Sequence, residues 1–204
     1  MELFFSPTSP YVRKVLILAN EIGIADQIEF IDRHPHPVDR DPSIVAKNPT
    51  GKVPTLLLDD GTALYDSRVI CRYLASLSTG PTMYPTAASD LWQVLTLEAL
   101  ADGLLDAALI IYYETFERPK DQIWEDWLAG QWEKIDSTVD EYERVLDNYT
   151  GQVNAATIAI ACTLGYLDFR FEDHLWRPGH AGIQAWYEEF AKRPSMQATV
   201  PYLR

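Results

Sequence analysis

The segment "FFSPTSPYVRKV", residues 4–15, sets three hydroxyls, Ser6, Thr8 and Ser9, among two prolines, between a short apolar run and a helical pattern. A hydroxyl at such a turn can cap the helix by accepting a backbone N–H, or give its own proton to an anion held at the helix N-terminus. Ser9 stands immediately before Pro10, and proline suits a first helical position, where an N–H would have no intrahelical partner. Other reactive side chains are sparse. Cys71 and Cys162 lie far apart, each inside an apolar helical pattern, which suits buried small hydrophobes better than a disulfide framework or a metal cluster. The tandem "HPHP" at 34–37 offers two histidines without further Cys or His nearby, so it reads as a rigid exposed loop and no metal site is expected.

Two stretches of different grammar must position these groups. From residue 2 to 78 the pattern alternates strand and helix: "ELFF" as a strand, "PYVRKVLILANEIG" as a helix with Gly23 at its C-terminal cap, and "IEFIDR" as a second strand. "VPTLLLDDGTALYD" reads as a hairpin through Asp60-Gly61, and "SRVICRYLASL" as an amphipathic helix with Ser67 near its N-cap. The order β-α-β-(α)-β-β-α is that of a thioredoxin-like α/β domain, expected over 1–78, although several small α/β folds share it. "STGPTMYPT" is rich in turn formers and reads as a linker, 79–86. An all-helical domain is expected over 87–204. Ile135, Val139, Tyr142, Leu146 and Tyr149 step by four and three along one face, and "ATIAIACTLGYLDF" is apolar enough to be a central buried helix. Asn154 is placed to cap it, with Thr157 at the third position, where a capping box prefers Glu or Gln.

Composition narrows the function classes. The 204 residues carry a formal charge of −13, which opposes nucleic-acid binding, since that leans on neutralising phosphates. Residues 1–78 hold 8 basic against 10 acidic side chains and residues 79–204 hold 9 against 20, so a small anion is better hosted by the first part. No apolar run reaches the roughly 18 to 20 residues of a membrane span, and no basic-then-apolar leader opens the chain, so a soluble, cytoplasmic protein is expected.

Four stretches together resemble the cytosolic glutathione transferases from end to end: "SPYVRKV" at the first strand-to-helix turn, "NPTGKVPTL" before the hairpin, "YDSRVICRYL" after it, and "NAATIAIACTLGYLDFR" in the helical half. "GKVP" and "DSRVICRYL" around one hairpin form the specific pair. "EALADGLLDA" with "VNAATIAIAC" looks like a bacterial subgroup whose substrates are poorly assigned. The resemblance implies glutathione as co-substrate, with no prosthetic group, and a homodimer acting on a small electrophile in detoxification.

It also implies roles for particular residues. Val53-Pro54 falls where the family has a cis-proline, which would turn the Val53 backbone toward the cysteinyl backbone of glutathione as a short antiparallel pair. Ser67 and the amides opening its helix would take the γ-glutamyl carboxylate and Asp66 the ammonium; as capping residues alone, both would need no ligand. Lys52 is the natural partner of the glycyl carboxylate unless it is merely solvated, and Arg40 and His36 are further candidates in a loop without a fixed register. Arg68 is expected to pair with an acid of "EALADGLLDA" across a two-fold interface or to be a plain exposed helix charge, and Asp102 or Asp106 to reach the partner's ligand.

Counting back from Lys14, the family's thiolate-stabilising position falls on Ser9, followed by Pro10 and Tyr11, with Thr8 in reserve. Thioltransferase-like classes have cysteine there, so exchange through a protein cysteine is disfavoured. Ser9 can instead be only a helix cap, and a capping side chain would then be poorly free to donate. Tyr11, Tyr112, Tyr113 and Phe116 are candidates for an apolar wall beside the electrophile, although aromatic residues at such spacings also serve as core. Alternatives to conjugation are a glutathione-binding carrier with little turnover, or a glutathione-dependent isomerase or peroxidase; the isomerase class usually has "SSCS" at the turn, from which "SPTSPY" departs.

Overall fold

Leu3 and Phe4 are buried within β1 (Glu2–Phe5), and the chain turns directly from it into α1 (Pro10–Glu21). The structure, a computed structural model, describes residues 1–203. Pro10 occupies the first turn of α1, and Gly23 follows its end with φ of 74°, a left-handed conformation that costs glycine least. A 3-10 turn at Ala25–Gln27 leads into β2 (Glu29–Asp32), and a one-turn helix α2 (Pro42–Val45) precedes the hairpin of β3 (Thr55–Leu57) and β4 (Ala63–Leu64). Gly61 supplies the hairpin's positive φ, 86°. The strands form one sheet in the order β2-β1-β3-β4, with β1 parallel to β2 and the other pairs antiparallel. α3 (Ser67–Leu77) follows the hairpin and packs on α1 with Ile70, Cys71 and Leu74 buried.

The other helices are longer. α4 (Ala88–Phe116), α5 (Glu125–Val145), α6 (Ala155–Arg170) and α7 (Ala181–Phe190) are followed by the short α8 (Pro194–Gln197). α6 is buried along Ala155–Leu167 and packs against α4, the central helix expected from its apolar run. The stripe Ile135, Val139, Tyr142, Leu146 and Tyr149 is buried, its last two members on a 3-10 turn beyond α5. At the start of α6 the Asn154 side chain accepts the Thr157 N–H at 3.1 Å, and the Thr157 hydroxyl accepts the Asn154 N–H at 2.9 Å. Threonine thus closes the capping box usually left to Glu or Gln, because a buried turn suits its shorter reach.

The chain divides into two compact units, 1–85 with 194–204, and 86–193. The segment 194–204, assigned from sequence to the helical half, belongs with the sheet. The Arg13 guanidinium donates to the Met196 carbonyl at 3.3 Å, and the Ser195 hydroxyl bonds Glu21, so both ends of α1 hold it. Such contacts across more than 170 residues leave no trace in local pattern. The fold class is otherwise as expected: a small α/β unit with a four-stranded sheet, and a helical unit. No helix among the described residues is long and apolar enough to cross a membrane.

Candidate active site

Strand directions bring the first unit's polar turns to one end of the sheet. Phe5 lies opposite Asp32 in the parallel pair, Thr55 opposite Phe4, and Leu64 opposite Leu56 in the antiparallel ones. The turns that leave β1, β2 and β4 and the turn that enters β3 therefore emerge together. Ser9 and Tyr11 come from the first, the His34–Arg40 loop from the second, Asp66 and Ser67 from the third, and Lys52, Val53 and Pro54 from the last.

Ser9 is the N-cap of α1: its Oγ accepts the Val12 N–H at 3.3 Å. A serine hydroxyl has two acceptor lone pairs and one proton, and this bond uses only a lone pair. Among the described residues nothing accepts the Ser9 proton. The expected conflict between capping and donating therefore does not arise. Thr8 is spent differently, its hydroxyl 3.4 Å from that of Ser6.

The Val53-Pro54 bond is cis, as the resemblance implies, and so is Tyr65-Asp66. Val53 and Pro54 are buried while Lys52 beside them is exposed. The turn that carries them is tied by Asn48, a buried residue with no role assigned from sequence. Its amide nitrogen donates to the Lys52 carbonyl at 3.1 Å and to the Thr55 hydroxyl at 3.0 Å; its oxygen accepts from the Thr50 N–H at 3.0 Å and the Thr50 hydroxyl at 2.7 Å. The signal was present as Asn-Pro-Thr-Gly, a turn in which an asparagine side chain mimics backbone. Arg40 donates to the Pro49 carbonyl and lies against Gly51, where an added Cβ would meet its guanidinium at 3.2 Å. His36 Nδ1 accepts the Val38 and Asp39 N–H groups at 3.2 and 2.9 Å, folding its own loop.

At α3 the cap is Asp66, not Ser67. Asp66 Oδ1 accepts the Arg68 N–H at 3.0 Å, and Ser67 is buried as the first helical residue. Arg68 is exposed, and its Nη2 lies 2.9 Å from Asp66 Oδ2. Partial burial pushes the Asp66 carboxyl up, but the Arg68 hydrogen bond, the Arg68 charge and amide, and the Lys14 charge together hold it below the usual range. It is an anion at neutral pH.

The aromatic candidates on α4 belong to the helical unit and form a cluster there. Tyr112 meets Tyr113 with ring centroids 5.8 Å apart and Phe116 at 5.0 Å, with Phe116 exposed. Asp102 is buried, close enough to Tyr142 to add to the rise in that phenol's pKa, most of which comes from burial. No group of three or more His, Cys, Asp or Glu among the described residues is placed to hold a metal.

A four-stranded α/β unit with a cis-proline before its third strand, followed in the same chain by a helical unit, is the arrangement that the resemblance to the glutathione transferases implies. The chain belongs to the glutathione transferase family: residues 8–77 match the model "Glutathione S-transferase, N-terminal domain" and residues 125–189 the model "Glutathione S-transferase, C-terminal domain". It is 39% identical to the protein named "Uncharacterized GST-like protein YibF" of Escherichia coli K12, over 98% of both chains. Two solved structures of a glutathione transferase family member from Pseudomonas fluorescens Pf-5 are 42% identical to it. One, with bound glutathione, has a TM-score of 0.97 over 99% of both chains; the other, with bound S-(propanoic acid)-glutathione, has 0.92 over the full length of both.

Proposed function

We propose that this chain is a glutathione transferase that binds glutathione at the sheet end, stabilises its thiolate through Ser9 and conjugates it to a small electrophile. The observation that carries the reading is the Ser9 hydroxyl, whose cap bond leaves its proton for an acceptor at the N-terminus of α1. A free thiol of pKa about 8.5 must fall by roughly two units to be mostly ionised at neutral pH, about 2.7 kcal/mol. A hydrogen bond to a charged group contributes roughly 1.5 to 3 kcal/mol and a helix N-terminus about 0.3 to 2. Together these suffice without any base or nucleophile on the protein.

The other groups divide the ligand among them. The Val53 backbone pairs with the cysteinyl backbone, Lys52 meets the glycyl carboxylate, Ser67 and the α3 amides take the γ-glutamyl carboxylate, and Asp66 takes the ammonium. Tyr11 packs beside the sulfur, and Tyr112, Tyr113 and Phe116 face the electrophile. Glutathione bound in a structure 42% identical over nearly the whole chain supports the ligand, and the S-substituted form bound in the second supports a site that accepts a thioether. The protein acts in the cytoplasm as a homodimer on this reading, in detoxification.

The test is turnover of 1-chloro-2,4-dinitrobenzene with glutathione, followed by thioether absorbance, in the wild type and Ser9→Ala, with glutathione affinity measured by calorimetry. Loss of turnover with affinity nearly intact supports the role. Affinity without turnover in the wild type, across a panel of electrophiles, would identify a glutathione carrier instead.

A further inference from the structure

Along α5 the acids Asp136, Asp140 and Glu143 step by four and three, each one residue beyond a member of the buried stripe Ile135, Val139 and Tyr142. They therefore share the helix face beside that stripe. The connection from α6 to α7, with the start of α7, is fastened to them within the helical unit. His174 Nε2 lies 2.8 Å from Asp136 Oδ1 and His180 Nε2 lies 2.8 Å from Asp140 Oδ1, while the Glu143 carboxylate accepts the Gly182 and Ile183 N–H groups at 3.0 and 2.6 Å. Glu143 thus caps α7 from outside, because His180, at the N-cap position, makes no cap bond with its own side chain. The approach is close: a Cβ added at Gly182 would meet Glu143 Oε1 at 2.8 Å. From α6, Asp168 holds the same connection, accepting from the Trp176 indole at 2.8 Å and from the two terminal nitrogens of Arg177 at 2.6 and 2.7 Å.

These fastenings answer differently to protons. Arg177 is a permanent cation, and the donors to Glu143 are backbone amides. His174 makes its bond through Nε2, and a neutral ring with its proton on that atom still makes it. His180 is held at both nitrogens, Nδ1 lying 2.7 Å from the Trp176 carbonyl and Nε2 at Asp140, and both partners only accept. A doubly protonated ring donates to both. A neutral ring has one N–H, so its other nitrogen turns a lone pair on an oxygen and one bond is given up whichever tautomer forms. The charged groups that act on His180 are Asp140 and Glu143, both on α5. In the connection Arg177 is engaged by Asp168 of α6, with Glu188 of α7 adding to the field on it. Burial of His180 lowers its pKa, but Asp140, the Trp176 carbonyl and Glu143 outweigh that, so the ring titrates above the ordinary histidine value.

We propose that residues 174–183 form a pH-operated strap of the helical unit, shut against α5 while His180 carries both ring protons and opened locally, with the start of α7, when it loses one. The inference concerns the helical unit alone and does not rest on the transferase reading. His180 stands two residues before Gly182, so freeing its ring slackens the chain that presents the Gly182 and Ile183 N–H groups to Glu143. The direction is fixed by linkage: the shut form binds the proton more tightly, so acid closes the strap and base opens it.

The experiment is native-state hydrogen exchange on the full chain, read by mass spectrometry from pH 6 to pH 9 with and without low urea, each rate divided by the intrinsic rate at its pH. Peptides spanning 174–184 should lose about 10- to 100-fold in protection across that range, the loss of one hydrogen bond to a charged group. Their exchange should be insensitive to low urea, as a local opening is, whereas α6 should exchange by global unfolding with a steep urea dependence. His180→Gln, which cannot titrate, should remove most of the pH dependence of the strap. Asp140→Asn, which keeps an acceptor but not the charge, should move its midpoint to lower pH. Circular dichroism establishes that the variants fold, and if His180→Gln does not, the midpoint in Asp140→Asn decides. Strap protection that is equal at pH 6 and pH 9, that tracks α6 under urea, that keeps its pH dependence in His180→Gln, or that keeps its midpoint in Asp140→Asn overturns the proposal.

Discussion

Removing the Ser9 hydroxyl separates the cap bond it makes from the donation to sulfur proposed for it. As a cap it accepts a single N–H at 3.3 Å, toward the long end for such a bond, so Ser9→Ala should cost stability at the low end of the usual range, about 0.5 to 1 kcal/mol. As a donor to sulfur it contributes roughly 1.5 to 3 kcal/mol, about one to two pKa units on the bound thiol. The hydrogen bond favours the charged form, so its loss raises the thiol pKa and moves the pH-rate profile to higher pH. If the wild-type thiol titrates near pH 6.5, turnover at that pH should fall roughly five- to fiftyfold in the variant. By about pH 9 both are ionised and the rates converge, or cross, because a more basic thiolate is the better nucleophile. Ser9→Gly gives the matched control: glycine keeps most of a cap's stability but has no proton to give. The assay is conjugation rate from pH 6 to 9 in the three proteins, with urea midpoints alongside. Profiles that overlay after scaling, or a loss equal at pH 6.5 and pH 9, would refute thiolate stabilisation by Ser9.

Asn48→Ala removes the four hydrogen bonds that tie the turn before β3, at roughly 1 kcal/mol each for neutral groups, so urea unfolding should report a loss of about 2 to 4 kcal/mol; KM for glutathione should rise more than kcat falls, and an unmoved KM would exclude a positioning role. Asn154→Ala opens the buried capping box of α6 and should cost about 1 to 2 kcal/mol in the same assay. His180 lies between the Trp176 carbonyl, 2.7 Å from Nδ1, and Asp140, 2.8 Å from Nε2, and two acceptors at once favour the doubly protonated ring. Burial lowers its pKa, but the Asp140 hydrogen bond, the carbonyl and the charges of Asp140 and Glu143 outweigh that and raise it. A raised folded pKa stabilises below the unfolded value, near pH 6.5, and the contribution is lost as pH climbs through the folded one. The Tm gap between wild type and His180→Gln should therefore be largest near pH 6 and shrink by pH 9, and a constant gap would count against the ion pair.

What could be read locally was read correctly. The hairpin announced itself in Asp60-Gly61, α1 in Pro10 and Gly23, and the helical core in the stripe through Ile135 and Tyr149. What failed depended on tertiary placement. Asp66 and Ser67 were both candidates to cap α3, and Asp66 takes the cap, because which of two adjacent polar residues stops extending and starts turning depends on how the hairpin delivers the chain. Arg40 was one of two candidates, with His36, in a loop without a fixed register, and its attachment to Pro49 is set by the fold of the turn it meets. Asn48 had the composition of a turn residue, but its importance comes from burial, which no pattern of neighbours encodes.

Two capped helices at one end of the sheet carry opposite chemistry, and the cap residues decide it. Serine caps through a lone pair and keeps a proton, so α1 presents a donor where its amides already favour negative charge. Aspartate caps through a lone pair and has no proton to keep, so α3 presents a carboxylate that Arg68 partly neutralises. A ligand with a thiol and an ammonium therefore has only one sensible orientation across them, sulfur at Ser9 and ammonium at Asp66. Exchanging the caps, Ser9→Asp with Asp66→Ser, keeps both helices capped but sets a carboxylate against the thiolate, and it should abolish conjugation while leaving the Tm within a few degrees of wild type.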